Sequence, residues 1–186
     1  MSHPEYIATP ADYQFDLLDL GIYLNSGDRN GCFYLVVSYL MDPEVLVSGG
    51  INELKNRATF LKQQLTGKSH LQKFARVNEY AEQPIVQEYA EQFSRRIIIH
   101  NVQTTIEGYI VDNQAIYSVS PSRSRSVLPP IRVGLGNYHY YALIEKPHWS
   151  ESPLAHFSTD VSEQFTSSSQ KIGASDLVSI FGALTL

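Results

Sequence analysis

The 186-residue sequence contains one cysteine, Cys32. A lone cysteine closes no internal disulfide and builds no cysteine-rich zinc site. It leaves open the chemistry of a nucleophilic thiol, and six histidines are present from which a base could come. Long apolar runs are also missing, so no segment reads as a membrane span. The start, Met1-Ser2-His3-Pro4-Glu5, has neither the basic nor the apolar region of a secretory signal. A soluble chain in a reducing, cytoplasmic compartment is expected. Charge of one sign is in short supply: 14 Lys and Arg stand against 19 Asp and Glu, a net −5. That balance argues against a broad phosphate-binding face, and no nucleic-acid partner is expected. The length suits one domain. With 43% hydrophobic and 18% charged residues, one core can form and wholesale disorder is excluded.

Residues 1–19 mix Tyr, Pro and Asp with a short apolar patch and read as an N-terminal arm, or a short helix, packed on the domain. Asn25-Ser26-Gly27-Asp28-Arg29-Asn30-Gly31 is a dense turn signal, and Cys32 follows at once. Phe33, Val36, Val37 and Leu40 then fall on one face of a helix. Ile51, Leu54, Ala58, Leu61 and Leu65 predict a second helix over about 50–65, with Lys55, Arg57 and Lys62 off its apolar stripe. Pro84, Ile85, Tyr89 and Phe93 predict a third over 84–93. The pattern then turns to strands at 95–100, 114–119, 131–135 and 138–144. Between them, 120–130 is a Ser-, Pro- and Arg-rich loop, its arginines read as solvated. Helices first and strands later predict an α+β fold, a mixed α/β sandwich with a central sheet. Residues 20–146 are taken as the domain. Residues 147–186 form a polar tail whose pattern allows a short helix at 174–183.

The cysteine sits where a loop meets a helix N-terminus. First-turn N–H groups and the helix dipole favour a thiolate there. The preceding loop can turn backbone N–H groups toward one point, as an oxyanion hole requires. An inert packed thiol is the ordinary alternative. The histidine decides between them. His3 is terminal, His70 lies among polar residues, and His148 and His156 lie in the tail. His100 ends a strand. His139 opens a strand just after Gly134-Leu135-Gly136-Asn137, where a ring can face a cleft and still be fixed by a sheet.

Three segments resemble the OTU (ovarian-tumour) domain cysteine proteases, deubiquitinases of the papain-like superfamily. Gly27-Asp28-Arg29-Asn30-Gly31-Cys32-Phe33 resembles the family's Gly-Asp-Gly-Asn-Cys-Leu-Phe nucleophile loop. Tyr80-Ala81, then 85–93 and 95–100, resembles the helix-then-strand segment that usually opens with Trp-Gly. Pro130-Ile131-Arg132-Val133 with Asn137-Tyr138-His139-Tyr140-Tyr141 resembles the closing Pro-Ile and His-Tyr-Asp strands. The order holds over roughly 20–146. Four departures stand out. The loop is one residue longer, Gly31 replaces Asn before the cysteine, Tyr80-Ala81 stands for Trp-Gly, and Tyr141 stands where the family has its acid.

The resemblance implies a papain-like OTU fold and a thiol-dependent deubiquitinase. Cys32 would be the nucleophile, His139 the base, and Asp28 a catalytic-loop residue. The third catalytic member stays open among Asp28, Asn137 and Asp112. Asn137 and Tyr141 share His139's side of the strand. No cofactor or metal is implied. The expected partner is ubiquitin or a ubiquitin-like modifier, and the expected state a monomer. By analogy with OTU-like effectors, the cytoplasm could be that of a host cell. A catalytically silent ubiquitin-binding module and a viral-type polyprotein protease are the competing readings.

Overall fold

The computed structural model describes residues 3–10, 12–122 and 128–146. The proposed tail, with His148 and His156, and the loop residues 123–127 lie outside the described residues.

Helix α1, Cys32–Met41, begins at the cysteine. It is buried on nearly every side, from Cys32 through Val37 and again at Tyr39, because it lies between the sheet and a second long helix. Helix α2, Val45–Ser48, is a single turn. Helix α3, Gly50–Thr66, buries Leu54, Ala58, Leu61 and Leu65 as its periodicity predicts. It also buries Lys62, which that periodicity assigns to the solvated side. A 3-10 segment, Ser69–Ala75, leads on toward α4, Gln83–Gln92, with proline in its first turn.

The strands are β1 (Glu5–Ile7), β2 (Phe15–Asp19), β3 (Ile97–Thr105), β4 (Gly108–Val119), β5 (Ile131–Gly136) and β6 (His139–Glu145). They form one mixed sheet in the order β1-β2-β6-β5-β3-β4, parallel at β3/β5. The fold is α+β. Within the stretch expected as an arm on the domain, Glu5–Ile7 and Phe15–Asp19 are two strands of its own sheet. β2 is hydrogen-bonded to β6, with Leu17 opposite Leu143 and Leu18 opposite Ala142. Phe15 to Leu18 are all buried, so β2 lacks the alternation that marks a strand with one wet face.

Every helix contributes to one core, which also takes Leu18, Ile97, Ile99, Val133, Tyr140 and Ala142 from one sheet face. The opposite face carries a smaller cluster drawn from strands: Phe15, Leu17, Val102, Val111, Tyr141 and Leu143. Irregular pairing at His100 and Val102 bends the long β3/β4 hairpin. Asn113 on β4 then accepts the Gln14 N–H at the head of β2.

The β5/β6 hairpin positions the candidate histidine. Gly136 pairs with His139 across a two-residue loop, Asn137-Tyr138, whose φ values are 51° and 58°. Two positive φ angles are what a tight hairpin of native twist demands. Gly136 is fixed by crowding: a Cβ there would stand 2.2 Å from the Val102 carbonyl oxygen. That atom belongs to the backbone of β3 and cannot rotate away. Gly136→Ala is therefore expected to destabilise the fold by about 3 kcal/mol, the upper end of overpacking costs. Urea unfolding checks this, and a loss under about 0.5 kcal/mol contradicts it.

Candidate functional site

The site lies where the N-terminus of α1 meets the ends of β2 and β6. Cys32 is the first helical residue, preceded by Gly31 as N-cap. A Cβ on Gly31 would come within 2.4 Å of Leu24 Cγ, so Leu24 packs directly over it. Cys32 is buried, with 7% of the residue exposed. Behind it Phe33 packs edge-on against Tyr140 at 5.1 Å, and Tyr140 stacks on Tyr80 at 5.3 Å. The Tyr140 hydroxyl donates to the Ala81 carbonyl at 2.8 Å. These rings fix the start of the helix against the sheet.

His139 bridges two partners. Its Nε2 lies 2.9 Å from Asp19 Oδ1, and Cys32 is near enough to act on its basicity. Burial works against an imidazolium here. The hydrogen bonds and charges of Asp19 and Cys32 outweigh it, and together they hold His139 up to about 10. Asp19 is itself steadied, because its Oδ1 also accepts the Gly21 N–H at 2.9 Å.

Asp19 was not among the sequence candidates. The β2/β6 register explains how it arrives. Leu18 faces Ala142, so the next position along, Asp19, faces Tyr141 and lies diagonally from His139. Diagonal neighbours are about 7–8 Å apart at the backbone, within reach of two longer polar side chains. A carboxylate from the adjacent strand thus reaches His139 from the position opposite Tyr141. Tyr141 instead packs its ring edge-on to His139 at 4.6 Å. No local signal in the sequence marked Asp19, because β2 is buried on both faces and shows no period of two.

The other candidates lie elsewhere. Asp28 is buried behind the cysteine loop and ion-paired with Lys62. Its Oδ1 accepts the N–H groups of Asn30 and Asn78, each at 3.0 Å. Asn137 donates its amide to Thr104 Oγ1 at 3.2 Å. Asp112 is exposed on β4, accepting the Gln114 N–H. Asn137→Gly, which suits the positive φ, and Asp112→Ala are each expected to leave turnover within about threefold of the native rate. Steady-state kinetics checks this, and a hundredfold loss in either contradicts it.

His100 lies within β3, its ring 4.9 Å from Phe15. Nδ1 is 2.9 Å from the Asp112 carbonyl and Nε2 is 3.0 Å from Arg132 Nη1. Burial depresses its basicity, the Asp112 carbonyl opposes that, and the Arg132 charge adds to it. A neutral ring, donating to the carbonyl and accepting from Arg132, fits both contacts. No group of three or more His, Cys, Asp or Glu placed to hold a metal occurs among the described residues. No helix among them is long and apolar enough to cross a membrane.

The structure is similar to OTU domains. It superposes on the OTUD1 OTU domain with a TM-score of 0.42 and 18% identity, over 62% of this chain and 80% of that one. It superposes on the Hazara virus OTU, solved bound to ubiquitin, with a TM-score of 0.43 and 14% identity, over 76% of this chain and 81% of that one. No family model matches the sequence, and no curated protein matches it.

Proposed function

We propose that the chain is a cysteine-type deubiquitinase, with Cys32 as nucleophile, His139 as acid–base and Asp19 as the group that orients the imidazole. The observation that carries this is His139 with its Nε2 2.9 Å from Asp19 Oδ1, at the start of β6 beside the helix N-terminus that carries Cys32, where both groups raise its basicity. A thiol, an imidazole and a carboxylate in a row form the constellation that activates a thiolate and then protonates a leaving group. An inert core cysteine requires neither partner. The choice of ubiquitin among acyl substrates comes from the resemblance of the three sequence segments to OTU proteases.

The chemistry follows from the arrangement. The Cys32 thiolate attacks the carbonyl carbon of the isopeptide bond joining a modifier's C-terminus to a lysine. The carbonyl π pair moves onto oxygen, where backbone N–H groups at the start of α1 stabilise it. Collapse breaks the C–N bond, and the leaving amine takes the proton on His139. His139 then draws a proton from water, which attacks the thioester and frees Cys32 and a carboxylate. None of these steps calls for a cofactor. Asp28 serves in this scheme by shaping the loop.

Isopeptide-linked di-ubiquitins of defined linkage test the proposal. At least one linkage is expected to yield free ubiquitin with the native chain and none with Cys32→Ala. Binding of di-ubiquitin without cleavage of any linkage would favour the silent binding module instead.

A further inference from the structure

The cysteine loop is tied to a second segment by bonds running both ways. Asn78, in a left-handed conformation with φ 66°, accepts the Arg29 N–H on its Oδ1 at 3.0 Å. Its carbonyl accepts the Asn30 side-chain amide, and its own N–H donates to Asp28 Oδ1 at 3.0 Å. Asp28 takes the Asn30 N–H on the same oxygen and Lys62 on the other. Lys62 Nζ donates in turn to the Arg76 carbonyl at 2.8 Å, closing the ring of contacts.

The consequence concerns which amides remain. The N–H groups of Arg29 and Asn30 are spent on Asn78 and Asp28. Among the described residues, those of Gly31 and Cys32 are not spent within the loop. They stand at the N-terminus of α1, beside the sulfur, where a helix's first amides have no intrahelical acceptor. A loop free to rotate would present different amides at different moments, and an oxyanion hole acts by being fixed beforehand.

We propose that Asn78 is a positioning residue for the oxyanion hole. By accepting the Arg29 N–H, it locks the loop so that the Gly31 and Cys32 amides face the carbonyl oxygen under attack. This rests on Cys32 being the nucleophile, but not on ubiquitin being the substrate.

Two small probes separate the hole from the thiol. Acetyl-glycinal adds reversibly to Cys32: the S–C bond forms, the carbonyl π pair moves to oxygen, and that oxygen takes the proton from His139. The adduct needs the hole. Iodoacetamide alkylates the same sulfur without it. Asn78→Gly keeps the positive φ and removes the acceptor. Asn78→Asp restores an acceptor at a residue that tolerates that conformation. Glycine is expected to weaken aldehyde binding about tenfold, as for an imperfectly aimed donor. The alkylation rate and its pH profile should stay within about twofold. Aspartate is expected to recover aldehyde binding to within about threefold. Unchanged aldehyde binding in Asn78→Gly overturns the proposal, as does an equal fall in alkylation or a failure of aspartate to rescue. A native chain that binds no aldehyde overturns it too. A native chain that binds the aldehyde but leaves every ubiquitin substrate intact defeats the deubiquitinase reading and leaves the role of Asn78 standing.

Discussion

Alanine at His139 is expected to lower turnover of a ubiquitin C-terminal amide by at least about a thousandfold, and alanine at His100 to leave it within about threefold. Both histidines are held by two partners, but the partners differ in kind. His139 is placed with Cys32, whose sulfur gains and loses charge during acyl transfer, and with the Asp19 carboxylate, which orients the ring. His100 lies between a backbone carbonyl and a guanidinium, neither of which changes protonation. Removing the His139 ring leaves Cys32 with no proton carrier at either step. Removing the His100 ring leaves Arg132 without one acceptor, a stability cost of about 1–3 kcal/mol that appears in the unfolding midpoint. Steady-state kinetics paired with thermal unfolding separates the two. Equal loss of turnover in both variants would contradict the assignment of His139.

Alanine at Asp19 is expected to lower kcat by about a hundredfold, and asparagine by about tenfold or less, since an amide oxygen can still accept from Nε2. The pH profile should move as well. Burial lowers His139 and the bonds to Asp19 and Cys32 raise it, for a net value of about 10. The native chain should therefore keep its rate through neutral pH and lose it on the alkaline side near that value. Without Asp19, one of the two raising partners is gone, and the alkaline limb should fall at lower pH. Stability follows the same sign. A histidine raised on folding contributes stability that is full below its unfolded value of about 6.5 and fades as pH climbs through about 10. Asp19→Ala should flatten that slope in urea titrations across the window. An alkaline limb that stays in place after the substitution would mean Asp19 does not hold the proton on His139.

Particular residues show how much the sequence disclosed. The turn run 25–31 followed by Phe33, Val36, Val37 and Leu40 locates the loop–helix junction, and α1 does begin at Cys32. The Gly-Asn turn before Tyr138 locates the hairpin, and His139 does open β6. Both signals are local, a turn composition and a period. Asp19 was not legible, because its role depends on a strand register between residues 120 apart in the chain. Its own strand is buried on both faces and so shows no period of two. Lys62 was hidden for a different reason. It lies beside the apolar stripe of α3, and only the loop's return past that helix gives its charge the partner Asp28. The irregular β3/β4 pairing is likewise set by tertiary curvature.

The central claim is that Cys32 is a nucleophile activated by His139 for attack at a ubiquitin C-terminus. Intact-mass measurement after incubation with ubiquitin bearing a C-terminal electrophile tests it most directly. The account predicts a single covalent adduct, heavier by one ubiquitin, formed by the native chain and absent from Cys32→Ala. No adduct with the native chain, or an adduct that persists in Cys32→Ala, would contradict it.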